Sequence, residues 1–178
     1  MKRKSLPAFC ILMGLLTFFG ILPPANALDT GSDAPAPTAT NQDGGQVSFA
    51  DVYKKGVTLV YFYPKADTPG CTAEACSLRD SYADLTALGV QVIGVSEDNS
   101  GDQKKFQDKY KLPFTLIADT DGAVAKAFGV PLLGKFAKRQ SFIIKDGKIA
   151  WLDLNASTAK QGDDVRKALA GLGVGTAK

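Results

Sequence analysis

Residues 57–80 read VTLVYFYPKADTPGCTAEACSLRD, and this stretch decides the fold. Val57 to Tyr63 is β-branched and aromatic with almost no polar residue, which suits a central strand covered on both faces. Pro64 ends it. Thr68 is a good N-cap residue and Pro69 a good first helical residue, so a helix starts there and Cys71 falls in its first turn. Ala75, Leu78, Tyr82, Leu85 and Leu88 follow at three- or four-residue steps. They predict an amphipathic helix over residues 71–88, stopped by Gly89.

Outward from this core, strands alternate with helical patterns. Val90 to Val95 reads as a second buried strand, and Asp102 to Tyr110 as a charged helix ended before Pro113. Phe114 to Ala118 is a third strand, and Asp121 to Phe128 a short helix stopped by Gly129. Gln140 to Ile144 and Lys148 to Leu152 flank Lys145-Asp146-Gly147 and pair as a hairpin. Asp163 to Ala170 is a closing helix, and residues 28–46 an extended leader with a turn at Gly44-Gly45. The crossovers demand parallel pairs and the hairpin an antiparallel one. The fold class is therefore α/β, a thioredoxin-like fold with a central mixed sheet and helices on both faces. Element order alone also fits a flavodoxin-like sheet.

The chain has 178 residues, 45% hydrophobic and 22% charged, an ordinary balance for one globular domain. Residues 1–27 stand apart: Lys2, Arg3 and Lys4, then the apolar run Ala8 to Leu22, then Ala25-Asn26-Ala27. That order reads as a secretory signal peptide, an uncleaved anchor being the other reading of so short a run. The expected division is a signal at 1–27 and a domain at 28–178, exported to a periplasm or a thylakoid lumen, with no stable membrane association once the signal is cut. Of 21 Lys and Arg, three leave with the signal, so 18 basic residues face 18 acidic ones. A neutral domain lacks the basic footprint of nucleic-acid binding. The chain has no histidine, which excludes Ser-His-Asp and Cys-His catalysis and every metal site that needs imidazole.

Without Cys10 of the leader, the domain holds Cys71 and Cys76. Backbone N–H groups in a first helical turn lack partners and the dipole is positive there, so a thiolate is favoured, and the thiolate is the nucleophile. Five residues along an ideal helix separate Cα atoms by roughly 8.7 Å. A disulfide needs less than ~7 Å, so the pair bridges only if the first turns unwind. A bond made that way suits a redox pair, and a permanent structural staple is the other reading.

The segment resembles the active-site signature of peroxiredoxins, specifically the atypical two-cysteine peroxiredoxin Q class, also called bacterioferritin comigratory proteins. Carrying the resemblance are Tyr61 to Pro64, Thr68-Pro69-Gly70-Cys71-Thr72, Glu74, Cys76 and Arg79-Asp80. It continues with Gly94-Val95-Ser96, Leu112-Pro113-Phe114, Asp119, Ala127-Phe128-Gly129-Val130 and Arg139-Gln140-Ser141-Phe142, across residues 31–152. It implies a peroxidatic Cys71, which a hydroperoxide oxidises to a sulfenic acid, and a resolving Cys76, which condenses with it to a disulfide. It implies that Pro64, Thr68 and Arg139 complete the catalytic site, that a thioredoxin-type protein is the reductant, and that the chain is a monomer without cofactor or metal. Arg139 stands before a strand from which it could point at the helix start and offer charge and fixed donors. Arg79 is read as a second cation near the site or as a partner of Asp80 or Glu74, and Glu74 as support for the helix start. The chain departs from the family pattern at Leu78, where a Phe is usual, at Pro37-Thr38, which lacks the usual aromatic, and in its export signal.

Three other functions compete: a protein thiol-disulfide oxidoreductase, whose usual C-x-x-C differs from the C-x-x-x-x-C here; a copper-delivery protein, whose sites normally add histidine; and a non-catalytic domain stapled by the disulfide.

Overall fold

The computed structural model of the protein describes residues 28–175, so the signal read in residues 1–27 lies outside the described residues. In chain order the elements are β1 (Thr38–Thr40), β2 (Gln46–Ser48), α1 (Phe49–Tyr53), β3 (Thr58–Phe62), α2 (Pro69–Asp80) and α3 (Tyr82–Ala87). There follow β4 (Gln91–Ser96), α4 (Ser100–Tyr110), β5 (Thr115–Ala118), α5 (Ala123–Ala127), β6 (Leu132–Leu133), β7 (Phe136–Ala137), β8 (Gln140–Lys145), β9 (Lys148–Asp153) and α6 (Gln161–Gly171).

The main sheet has the order β5-β4-β3-β8-β9. Strand β3 lies at its centre, parallel to β4 and antiparallel to β8, and every one of its residues is buried. Burial on both faces is what its unbroken apolar run requires. Leu59, Tyr61 and Tyr63 enter one core with Ala75 and Leu78 of α2, Leu85 of α3, Phe106 of α4 and Val165 and Leu169 of α6. Val60 and Phe62 enter the other with Phe49 of α1 and Val124 and Ala125 of α5. The period of two along β3 thus separates two helical layers, as expected for the thioredoxin-like arrangement. Among the described residues no helix is long and apolar enough to cross a membrane.

The segment before β3 is more than an extended leader. β1 and β2 form a small antiparallel ribbon whose turn is organised by Asn41: its Oδ1 accepts from Asp43 N–H and Gly45 N–H. The segment also covers both edges of the main sheet. Gly31 N–H donates to Ile149 O, Ile149 N–H to Ser32 O and Ala34 N–H to Gly147 O along β9. On β5, Gln42 N–H donates to Leu116 O and Leu116 N–H donates to Gln42 Oε1.

The helix expected over 71–88 is two helices, α2 and α3, parted at Ser81 with φ −92° and ψ 0°. Serine competes for its own backbone groups and weakens a helix interior. Here Ser81 also faces the tight crossing of α6, whose Gly162 N–H donates to Ser77 Oγ at 3.0 Å. Helix α4 begins at Asn99, whose side chain caps Asp102 N–H, and ends in left-handed Lys111 before Pro113 is reached. Helix α5 starts after left-handed Gly122, because the Asp119 carboxylate takes the Val124 and Ala125 N–H groups.

A Cβ on Gly162 would lie 2.3 Å from Ser81 Oγ and 2.6 Å from the Ser77 carbonyl oxygen. The serine hydroxyl can turn away, but the carbonyl cannot. Gly162→Ala, which in an open helix would stabilise by about 1 kcal/mol, is expected to destabilise this protein by about 1–3 kcal/mol. Urea unfolding of the two proteins checks the sign.

Candidate active site

Strand β3 delivers the chain to a loop, residues 63–68, that ends at the start of α2. The loop is fixed at three points. Ala66 N–H donates to Asp98 Oδ2 at 2.7 Å, an oxygen that also accepts from Ser96 Oγ at the end of β4. Asp67, with φ 60°, receives Lys109 Nζ and the Tyr110 hydroxyl from the end of α4. Thr68 Oγ1 donates to Lys65 O at 2.9 Å. Thr68 occupies the N-cap position with extended backbone, but its side chain makes no cap hydrogen bond. The capping expected of its hydroxyl is thus replaced by closure of the preceding turn.

Pro69 is the first residue of α2, and Cys71 lies in the first turn, 2% exposed. The Arg139 guanidinium reaches it from the segment before β8 and divides its donors: Nη2 donates to Cys71 Sγ at 3.3 Å, and Nη1 to Glu74 Oε2. Glu74 is fully buried, and its other oxygen, Oε1, has no hydrogen-bond partner among the described residues. The expected helix-start role of Glu74 is therefore corrected: it is the buried carboxyl partner of Arg139. Its position showed this much in advance. Residue 74 is three beyond Cys71 and four before Leu78, on the stripe that α2 turns to the core.

Burial pushes the Glu74 carboxyl up to about 8, against the downward pull of the Arg139 charge and its hydrogen bond. For Arg139 burial works against the charge, but Glu74 and Cys71 more than offset it and raise the guanidinium. Tyr61 stacks on Tyr63 and carries a buried hydroxyl without a partner; burial and nearby Tyr63, Glu74 and Cys71 raise it well above the usual phenol range, so it stays protonated. A Cβ on Gly94 would come within 2.8 Å of the Tyr61 ring, so a glycine across the strand pair makes room for it.

Cys76, half-buried, lies on the same continuous helix, and both thiols are free. Arg79 does not reach Cys71. Its guanidinium pairs with Asp80, and Nη1 donates to Tyr110 O at 2.9 Å, tying the end of α2 to the end of α4. Pro64 lines a surface cavity of about 350 Å³ with Lys65, Glu97, Asp98, Lys135 and Phe136, which Cys71 does not line. The structure thus brings Cys71, Arg139 and Glu74 into contact and shows no hydrogen bond from Thr68 to any of them. No cluster of side chains suited to a metal ion occurs among the described residues.

The chain matches the AhpC/TSA family over residues 30–152. It is 44% identical over 125 residues to peroxiredoxin Q, chloroplastic, of Oryza sativa subsp. japonica, covering 68% of this chain and 57% of the rice protein. Peroxiredoxin Q, chloroplastic, of Suaeda salsa is 44% identical over 127 residues, covering 70% of this chain and 59% of that protein. This chain therefore spans under two thirds of the length of either relative. Among solved structures, peroxidoxin BcpB from Mycobacterium tuberculosis superposes with a TM-score of 0.76 at 30% identity, covering 82% of this chain and 98% of that one. A peroxiredoxin Q mutant from Xanthomonas campestris gives 0.73 at 25% identity, covering 82% and 98%.

Arg139→Met removes the partner of a buried carboxyl and tests the ion pair through pH. A carboxyl raised in the folded state from 4.5 to about 8 contributes stability that is complete below pH 4.5 and lost as pH climbs through 8. Without Arg139 that carboxyl rises further, so the loss continues beyond pH 8. The stability gap between the two proteins should widen from pH 6 to pH 9, to about 3–5 kcal/mol at the alkaline end. Urea unfolding at the two pH values measures it; a pH-independent gap contradicts the pairing.

Proposed function

The chain belongs to the AhpC/TSA family, and from that membership we propose that it is a thiol peroxidase of the peroxiredoxin Q kind. The observation that carries this reading is the guanidinium of Arg139 directed at Cys71 Sγ, with the second thiol on the same helix. The Cys71 thiolate attacks one oxygen of a hydroperoxide and the O–O bond breaks. Sulfur becomes a sulfenic acid, and the departing alkoxide or hydroxide takes a proton from water. Arg139 supports this step with a fixed charge and a fixed donor where negative charge moves from sulfur to oxygen. The family resemblance supports a role for Pro64 and Thr68 beside Cys71, and the Thr68 hydroxyl serves a peroxide oxygen if it leaves Lys65 O. Cys76 then attacks the sulfenic sulfur, forming the Cys71–Cys76 disulfide and releasing water. A thioredoxin-type dithiol restores both thiols by exchange.

A Cys71 that is only 2% exposed favours small peroxides such as hydrogen peroxide, with organic hydroperoxides entering by their terminal oxygen. We place the protein as a monomer in an oxidising or plastid compartment. The leader pattern of residues 1–27 supports export, and the chloroplastic relatives support the plastid.

Cys71→Ser should abolish peroxide consumption. Cys76→Ser should consume one equivalent of hydrogen peroxide and stop, with a dimedone-reactive sulfenic acid at Cys71 seen by mass spectrometry. Arg139→Lys should slow the peroxide step by about 10²-fold, since lysine offers a point charge in place of two aimed donors. Continued turnover of Cys76→Ser with thioredoxin alone would remove Cys76 from the cycle, and insulin-disulfide reduction at a comparable rate would favour a general oxidoreductase.

A further inference from the structure

For Cys71 and Cys76 to bond, α2 has to unwind, and the structure marks where. Upstream, Ala66 and Asp67 are held by Asp98, Lys109 and Tyr110. Downstream, Ser77 is held by Gly162 N–H and Arg79 by Tyr110 O. Between these pinned points lies Thr68-Pro69-Gly70-Cys71-Thr72-Ala73-Glu74-Ala75-Cys76, in which Glu74 is the one carboxylic side chain. Glu74 is fully buried, is held through Oε2 by Arg139, and leaves Oε1 without a donor. An ionised carboxylate there keeps half its charge uncompensated, whereas a protonated one satisfies Arg139 through Oε2 and carries its hydrogen on the other oxygen.

Resting on the peroxidase reading and deepening it, we propose that Glu74 is a proton-releasing latch on α2: closing the Cys71–Cys76 disulfide draws its carboxyl from the pocket into water, where it ionises. Glu74 is a positioning residue in this scheme. It holds the first turns, and Cys71 with them, through Arg139. The disulfide chemistry itself releases water and no proton, so the proton set free on closure is that of Glu74. The groups facing this carboxyl are few. Arg139 approaches from the segment before β8, Tyr61 from β3 in protonated form, and Cys71 from its own helix. From α6 the packing residues are neutral, Gln161, Val165 and Leu169. Its Arg166 pairs at the surface with both Asp163 and Asp84 of α3, Asp164 accepts from Ser157 Oγ, and Lys167 is exposed. The raised carboxyl gives the sign: the wound helix is favoured at low pH and loses that advantage between pH 4.5 and about 8.

The test is stopped-flow closure of the reduced full chain after hydrogen peroxide, read by Trp151, which packs against the core that contains Cys71. Wild type and Glu74→Gln are compared from pH 5 to pH 9. Any pH dependence of the sulfur chemistry itself is common to both. The wild-type closure rate should therefore climb more steeply than that of Glu74→Gln, by up to ~tenfold per pH unit between pH 5 and 8, and run parallel above. In weak buffer at pH 6.5 with a pH indicator, wild type should release about one more proton per disulfide than the variant. Parallel profiles and equal proton counts overturn the latch. If Glu74→Gln does not fold, redox-difference infrared spectra of the wild-type chain decide: a protonated carboxyl band that disappears on oxidation upholds the proposal, and its absence overturns it. If neither protein consumes peroxide, the peroxidase reading falls, and closure driven by diamide still gives the two proton counts.

Discussion

One guanidinium serves two acceptors inside this protein. Arg139 gives one arm to a sulfur and the other to a carboxyl, and the three side chains come from two separate pieces of chain. With no histidine in the sequence, no imidazole or imidazolium is at hand to assist the thiol. What remains is fixed charge and fixed donors, and both depend on Arg139 being held in position. Glu74 does that holding, at the cost of burying a second ionisable group.

The surrounding fold supplies the rigidity that this arrangement needs. The central strand is packed on both faces, so the point where it hands the chain to α2 is well defined. The loop between them is stitched to the ends of β4 and α4 by side chains that have no part in sulfur chemistry: Asp98, Lys109 and Tyr110. The far half of α2 is pressed onto α6 through Gly162. A helix held at both ends and tied in between by Arg139 is ordered in the reduced state, and any unwinding is bounded by the two ends.

Much of this could be read from residues alone, for identifiable reasons. The β3 run, the hairpin around Asp146-Gly147 and the first-turn position of Cys71 are local properties, set by side-chain type and by turn chemistry. The break at Ser81 was hidden because the apolar steps continue through it: Tyr82 and Leu85 pack into the same core as Leu78. The short elements β6, β7 and α1 are too brief to show a period. At the site, Arg139 was found through family resemblance, since it is 68 residues from the sulfur and nothing local announces its direction. Glu74 was seen but misjudged: its closeness to a helix start suggested a dipole partner, whereas its place on the buried stripe decided its role.

The N-terminal segment acts as selvage for the sheet. A β-strand at a border offers free amides and carbonyls to any neighbouring chain, and such borders seed intermolecular growth. Here residues 31–34 hem the β9 border and residues 41–42 the β5 border. Maturation at Ala27 would leave both hems intact, whereas trimming past Ala34 would strip β9 of its cover. The cover on β9 thus decides whether that border stays closed or is open to copies of the same chain.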